Sequence, residues 1–429
     1  MQPDATIRGL DAGTQAEVRV AQAWFWDGYY VRRGIDLQHR FGSDVSTVTD
    51  LDVLGYSFDA SLISHKQIGE VKTGTSKSAP RPLDRALWMR GLSELVGAQR
   101  GEVTTALRVS PATRDACLRL GTTIQHLDDL KARERRLDIA EVDDVGSQGP
   151  TMARMRKDVQ AFAKSDVVLE RAFWFLASEV WFLDPFDALK RTLGLMRELG
   201  KTWPPESHQA ANTAARWFFA EAVSVVGLNL TIVAGQANTM DPGSFQQNAV
   251  ARLAAGDVPF HALRKLSDRV DDYVAKLLTS LDAAPEVRIE AMGAFQPVPP
   301  DYADSLLELI SRLAAEASMV SRFPRQLDAI LFERLARRRD LAPVLHRRLA
   351  LTPTTERHVR LVAAFLRGHF RLPTAVDKVL TTPLLPHSGV AAGDADHQQM
   401  LAFDDPGSPS APGLLEGPSK GGTSAVGSR

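Results

Sequence analysis

The chain has 429 residues, of which 24% are charged and 44% hydrophobic, the balance of an ordinary soluble protein. This length exceeds the usual size of a single domain, so we expect two or three domains. The formal net charge of -1 excludes a global attraction to nucleic acid, and the one cysteine excludes an internal disulfide and a cysteine-rich zinc site. We therefore expect a reducing, cytoplasmic setting, and the N-terminal residues show no secretory signal pattern.

The first predicted element is a helix over residues 14–26. Thr14 is its predicted N-cap, and Glu17 follows three positions later, as in a capping box. Residues 28–31 are predicted to form the first strand, and residues 34–46 a polar connection to the next strand.

The next two apolar runs, residues 48–56 and 68–71, alternate polar and apolar residues as strands do. Residues two apart on a strand point the same way, so Glu70 and Lys72 are expected on one face. If the two strands are neighbours, Asp52 projects beside them. Two carboxylates and an ammonium group then converge, and carboxylate oxygens are the ligands that hard divalent cations such as Mg²⁺ prefer.

This group of residues has the chemistry for hydrolysis of a phosphodiester. A divalent cation polarises a phosphoryl oxygen and lowers the pKa of a bound water. Lys72 would orient the nucleophile or neutralise charge that develops on the phosphate. Asp50 lies two residues before Asp52 and so on the same strand face, where it could assist or merely flank the site.

Asp52 in TDLDVLG, followed 18 residues later by Glu70 and Lys72 in GEVKTG, resembles the core motif of the PD-(D/E)xK, restriction-endonuclease-like nuclease superfamily. The resemblance covers about the first third of the chain. It implies that Mg²⁺ or Mn²⁺ is held by Asp52, by Glu70 and by the carbonyl of Val71. Many members also take an acid from a helix ahead of the core strands, and Glu17 is the position that resembles it.

Two simpler interpretations stand beside the site. Glu70 and Lys72 could be a solvated pair on an edge strand with Asp52 in a turn, and Glu17 could act only as a capping residue. A bare acid-x-Lys pattern is also weak evidence, because Asp129 and Lys131 match it in a charged stretch that is predicted to be helical.

The elements that follow complete the predicted fold class. Residues 84–98 and 111–120 are predicted helices, and residues 102–109 and 122–127 are predicted strands. This order indicates an α/β domain with a mixed sheet flanked by helices, and it matches the order expected after the Glu-x-Lys strand in the nuclease fold. The acidic, glycine-containing residues 141–150 are a predicted break, so the nuclease-like domain is assigned to residues 1-140.

The remainder is predicted to be a mainly α-helical domain over residues 151-380, for substrate or partner binding, and a disordered tail over residues 386-429 rich in Gly, Ser and Pro. Residues 217–235 form the most apolar stretch and approach the length of a membrane span. Because Glu221 and Asn229 fall inside it, we interpret it as a buried helix and expect no membrane insertion.

Affinity for nucleic acid is expected to come from local basic patches, since residues 1–140 carry only one excess positive charge. Residues 332–371 contain ten arginines and three acids, and guanidinium groups suit phosphate. The alternatives are a solvated helix face and an interface with an acidic protein partner. The residues assigned to nucleic-acid binding are Arg337, Arg338, Arg339, Arg347 and Arg348, together with Lys77 and Arg81 near the site.

The sequence thus predicts a metal-dependent nuclease with Asp52, Glu70, Lys72 and Glu17 as catalytic residues. DNA is favoured over RNA as substrate and internal cleavage over cleavage from an end, with antiviral defence, restriction and repair as consistent roles. The competing hypothesis is an inactive nuclease fold that serves as a binding scaffold in a larger assembly, where the helical domain could bind a protein subunit. The sequence does not indicate an oligomeric state.

Overall fold

The computed structural model describes residues 9–41, 44–76, 80–255, 260–281 and 297–384. It confirms the predicted fold class: a mixed five-stranded sheet with flanking helices is followed by a mostly helical region. The predicted disordered tail, residues 386-429, lies outside the described residues.

The sheet has the strand order β1-β2-β3-β4-β5. Strands β1, β2 and β3 are antiparallel neighbours, whereas β3, β4 and β5 run parallel and are joined by helices, as parallel strands require. The elements in chain order are α1 (Ala12–Trp26), β1 (Tyr30–Phe41), β2 (Asp44–Phe58), β3 (Ser64–Lys72), α2 (Pro82–Val96), β4 (Arg100–Thr105), α3 (Pro111–Arg119), β5 (Thr122–His126) and α4 (Leu127–Arg136).

Two local predictions in this region were wrong. Residues 34–46 are not a polar connection, because β1 continues to Phe41 and pairs with β2, with Ile35 and Leu37 buried. The first helix is capped by Asp11 instead of Thr14: the Asp11 carboxylate accepts hydrogen bonds from the Thr14 backbone N–H at 2.9 Å and from its hydroxyl at 2.7 Å. Glu17 therefore does not belong to a capping box.

Helix α1 lies against one face of the sheet, and the fit depends on two glycines. A Cβ atom at Gly55 would lie 2.9 Å from the Trp24 ring, and one at Gly69 would lie 3.0 Å from it. Helix α2 packs on the opposite face, where Met89 occupies the space above Gly101. Since side chains alternate between the faces of a strand, the neighbours of Gly69 on β3 face the α2 side.

The helical region consists of α5 (Pro150–Ala163), α6 (Val167–Ala177), α7 (Pro185–Leu199), α8 (Gln209–Thr239), α9 (Pro242–Ala254), α10 (Phe260–Ser280), α11 (Ala303–Ala314), α12 (Ala317–Val320), α13 (Phe323–Leu331), α14 (Pro343–Arg348), α15 (Pro353–His369) and α16 (Thr374–Thr381). Short 3-10 helices lie at Ile139–Glu141, Gly146–Gln148 and Glu179–Phe182, and a π-helical turn lies at Phe332–Ala336. Sheet and helices belong to one compact unit, Met1–Pro386. The division into domains 1-140 and 151-380 stays a prediction.

Helix α8 is the central helix of this unit. It has the length and composition of a membrane span, with a mean hydropathy of 1.7 in its most apolar window, but 94% of that window is buried inside the protein. This burial is what the core helix of a soluble protein shows. In the part of the chain that the structure describes, no other helix has that length and composition.

A buried ionic cluster joins the sheet to the helices. The Arg32 guanidinium on β1 lies 2.6 Å from Glu221 of α8 and 2.8 Å from Asp328 of α13. Ser224 of α8 accepts a further hydrogen bond from Arg32 and donates one to Asp328. An unpaired charge at this depth would destabilise the fold by several kcal/mol, so the charges of Arg32, Glu221 and Asp328 must be buried together.

Candidate active site

Strands β2 and β3 separate beyond their last paired residues, Val53 and Gly69. The next residue on each strand is a carboxylate, Asp52 on β2 and Glu70 on β3. Facing positions of an antiparallel pair project to the same side, so both carboxylates lie on the α2 side of the sheet. Asp52 Oδ2 accepts a hydrogen bond from the Val71 N–H at 2.6 Å, which fixes its carboxylate across the opening between the strands.

Lys72 brings the predicted residues together. Its Nζ lies 3.0 Å from Glu70 Oε1 and 3.9 Å from Asp52 Oδ2. The Asp52 and Glu70 residues are 7% and 8% exposed, whereas the Lys72 side chain is 37% exposed. Two buried carboxylates thus lie beneath a lysine that solvent or a substrate can reach.

A second cation at the same carboxylate was not foreseen. Arg85 Nη2, from the first turn of α2, lies 3.0 Å from Glu70 Oε1. The sequence indicates Arg85, like Lys77 and Arg81, only as a basic residue after Lys72 that could contact backbone phosphates, since a contact between a helix and a strand needs the tertiary structure. No local sequence signal pairs Arg85 with Glu70.

The donor set fits a hard divalent cation. Glu70 Oε2 is buried and has no hydrogen-bond partner among the described residues, and a buried carboxylate oxygen in that state is costly. The Val71 N–H points toward Asp52, and the two backbone groups of one strand residue face the same neighbour, so the Val71 carbonyl also faces the opening. Carboxylate and carbonyl oxygens are ligands of Mg²⁺ and Mn²⁺. No group of three or more His, Cys, Asp or Glu side chains that could hold a metal occurs in the described part of the chain.

Burial is the largest cause of the pKa shifts of the carboxylates at the site. Burial raises the pKa of Asp52 to about 7, and the charges of Glu17 and Asp50 add to the rise, while the Val71 N–H and Lys72 oppose it. Burial also raises the pKa of Glu17, against the opposing charge of Arg33. Carboxylates with a raised pKa gain most from a nearby cation, which would favour their ionised form.

Glu17 lies at the margin of this site. Its carboxylate is 3.8 Å from Arg33 Nη1, and its charge interacts with those of Asp50 and Lys72. Asp50 is exposed and pairs across the strands with Asp36. The structure therefore places Glu17 within electrostatic reach of Asp52 but with a partner of its own.

The arginine-rich region is largely engaged within the chain. Arg337 is buried between Glu333, at 2.9 Å, and Asp144, at 2.8 Å, and Arg339 also pairs with Glu333. An acidic partner was one interpretation of these arginines from the sequence, and part of that acidic surface is supplied by residues 138–144 of the same chain.

The other arginines assigned to nucleic-acid binding differ in accessibility. Arg348 lies over the Trp26 ring at 4.1 Å and donates a hydrogen bond to the carbonyl of Asp138 at 2.9 Å. Arg338 donates a hydrogen bond to Asn212 and remains 44% exposed. Arg347 is 75% exposed and lies 3.7 Å from Glu141. Their role toward nucleic acid stays a prediction.

Near the site, Arg81 is exposed and forms a 2.9 Å ion pair with Asp84. Lys77 lies outside the described residues. The competing pair Asp129 and Lys131 falls on helix α4, as predicted, where Asp129 is bound by Arg114 at 2.7 Å.

Comparisons with protein-family models, with curated protein sequences and with solved structures find no significant match to this chain.

Proposed function

We propose that this chain is a metal-dependent nuclease that hydrolyses phosphodiester bonds of nucleic acid, with DNA as the favoured substrate and internal cleavage as the favoured mode. The observation that supports it most directly is the convergence of Asp52, Glu70 and Lys72 at one strand end, with a buried Glu70 oxygen that has no hydrogen-bond partner within the described ranges. Asp52, Glu70 and the Val71 carbonyl would hold Mg²⁺ or Mn²⁺.

Each residue of the proposed site has a role in this reaction. A bound divalent cation would supply charge at a phosphoryl oxygen and acidify a water. Lys72 holds its ammonium where charge grows on the phosphate, and it orients the attacking water. The attacking water gives up a proton to solvent as its oxygen forms a bond to phosphorus, the bond from phosphorus to the leaving oxygen breaks, and the leaving oxygen takes up a proton from solvent. Glu17 serves as an accessory acid through its charge near Asp52.

The order of elements supports the same proposal. Helix α1 precedes a three-stranded antiparallel β1–β3 unit, and α2 then crosses to β4, which is parallel to β3. Together with the GEVK sequence on β3, this order is what the resemblance to the PD-(D/E)xK superfamily implies. A cytoplasmic location and a role in antiviral defence, restriction or repair are part of the proposal.

The test is cleavage by the purified chain of labelled DNA and RNA, single-stranded and duplex, in Mg²⁺, in Mn²⁺ and in chelator. We expect cleavage only with metal, and its loss in Asp52→Ala and Lys72→Ala with nucleic-acid binding retained. Asp115→Ala and Lys201→Ala are matched controls, because both side chains are exposed and pair with residues that are not part of the proposed site.

One observation favours the alternative of an inactive scaffold. Lys72 pairs with Asp52 and Glu70, and Arg85 pairs with Glu70, so two side-chain cations already lie beside the carboxylates that a metal would use. Binding of nucleic acid or of a protein partner with no cleavage of any substrate in either metal would establish this alternative.

A further inference from the structure

Two cations share one carboxylate oxygen at the site. Lys72 Nζ and Arg85 Nη2 each lie 3.0 Å from Glu70 Oε1, while Glu70 Oε2 has no partner among the described residues. The Arg85 side chain is 26% exposed, and its Nε atom is buried without an acceptor in the described part of the chain. Among the described residues, the one ion pair of Arg85 is thus with the carboxylate that a metal would occupy.

The surroundings divide the site into an acidic and a basic side. Carboxylates come from α1 and β2, as Glu17, Asp50 and Asp52. Cations come from the end of β3 and from the start of α2, as Lys72 and Arg85. A polyanion would approach from the basic side, where Arg85 lies.

We propose that Arg85 is a phosphate-binding residue that changes partner: it pairs with Glu70 in the free protein and moves to a backbone phosphate of the nucleic acid when a divalent cation takes Glu70. This inference rests on the proposed nuclease function. The planar guanidinium suits both partners, because it donates in the same way to carboxylate and phosphate oxygens.

Charge balance gives the reason for the exchange. Asp52 and Glu70 pair with Lys72 and Arg85 in the free protein, so a divalent cation adds two positive charges beside two cations that are already there. A phosphodiester at Arg85 removes part of that excess. Metal and nucleic acid must therefore each increase the affinity of the other, as reciprocal coupling between two sites requires.

The experiment measures this coupling in the full chain. Fluorescence anisotropy with a labelled DNA duplex gives the Kd with and without Ca²⁺, used as a cation that supports binding, for wild type, Arg85→Met and Arg85→Lys. Arg90→Met is the matched control, because Arg90 lies on the same helix, is about half exposed and has an ion pair with Glu94 of that helix. Mn²⁺ binding without DNA is followed in parallel by electron paramagnetic resonance.

We expect Ca²⁺ to tighten DNA binding about tenfold in wild type and Arg90→Met, and to have little effect in Arg85→Met. The slope of log affinity against log salt in Ca²⁺ should fall by about one in Arg85→Met. Arg85→Lys should recover part of the coupling, which also shows that the loss does not come from misfolding. Arg85→Met should bind Mn²⁺ at least as tightly as wild type, because a competing cation is gone.

Different failures lead to different conclusions. Weaker Mn²⁺ binding in Arg85→Met would mean that Arg85 only orients Glu70, and would overturn the exchange of partners. Coupling that is unchanged in Arg85→Met, while wild type binds Mn²⁺ and cleaves DNA, would overturn this inference alone. Absence of Mn²⁺ binding by wild type would overturn the proposed function and this inference together.

Discussion

The Asp52 carboxylate substitutes for a backbone acceptor of the β-ladder, because its Oδ2 accepts the Val71 N–H at 2.6 Å where the two strands have separated. One side chain thus closes the end of the ladder and faces the proposed cation. Asp52 thus has a structural role, as acceptor of the Val71 N–H, and a proposed catalytic role, as a metal ligand. Two substitutions at this position can measure the two roles separately.

Asp52→Asn should abolish cleavage while the fold persists. The amide oxygen still accepts the Val71 N–H, but it lacks the charge that a divalent cation needs, so we expect cleavage to fall about a thousandfold. Asp52→Ala should lose cleavage equally and also lower the free energy of unfolding by about 1–3 kcal/mol, because the Val71 N–H is left without an acceptor. Urea unfolding and a cleavage assay on both variants measure the two effects. Full cleavage by Asp52→Asn would refute the role of Asp52 as a ligand.

Glu17→Gln should reduce cleavage about 10- to 100-fold, the usual effect of losing a residue that supports a metal site. Its charge interacts with Asp52 and Lys72 across the margin of the site, and a neutral amide removes that interaction. Glu134→Gln is the control, because Glu134 pairs with Arg19 of the same helix α1 at 2.7 Å. Equal cleavage rates in the two variants would show that Glu17 has no role in cleavage and only pairs with Arg33.

Alternating residues made the strands of the site predictable. They placed Glu70 and Lys72 on one face, where the structure also has them, whereas the pairing of their strand with the one through Asp52 was an assumption that the structure bears out. The extension of β1 to Phe41 was missed because its polar residues Gln38, His39 and Arg40 resemble a loop, and only pairing with β2 stabilises them as a strand.

Contacts between distant segments were beyond prediction. The buried pairs of Arg32 with Glu221 and Asp328 join residues almost 200 and 300 positions apart, and no local pattern marks them. Ion pairs at such separation depend on how helices pack on the sheet. The same reason explains why the arginine-rich region looked available to phosphate, although Arg337 is buried against Asp144.

Lys66 should make the stability of the protein depend on pH. Its ammonium donates to the Val96 carbonyl at 2.9 Å and the Trp181 carbonyl at 3.2 Å, and burial lowers its pKa to about 8 from 10.5. Below pH 8 both folded and unfolded chains are protonated and the cost of burying the charge is fully present. Between pH 8 and 10.5 the unfolded chain binds more protons than the folded one, so stability rises with pH.

The measurement compares wild type with Lys66→Met by urea unfolding on both sides of this window. The difference in the free energy of unfolding should shift in favour of wild type by up to about 3 kcal/mol as the pH rises. Lys157→Met, at an exposed position, should show no such shift. A difference that stays constant with pH would show that Lys66 titrates as an ordinary solvated lysine.

Substitutions at Arg337 and Arg347 should have different effects: the first should lower the stability of the fold, and the second should test the binding of nucleic acid by the arginine-rich region. Arg337→Met leaves the buried Glu333 carboxylate with Arg339 as its remaining ion-pair partner, so we expect a loss of about 3–5 kcal/mol in the free energy of unfolding. Arg347→Ala removes an exposed charge with a 3.7 Å contact, which should change stability by less than about 0.5 kcal/mol. If this surface contacts phosphate, Arg347→Ala should weaken nucleic-acid binding uniformly across sequences and reduce the salt slope by about one. An unchanged affinity and salt slope in Arg347→Ala and Arg338→Ala would assign these arginines to the contacts within the chain, and would leave the basic side of the site around Arg85 as the surface that binds phosphate.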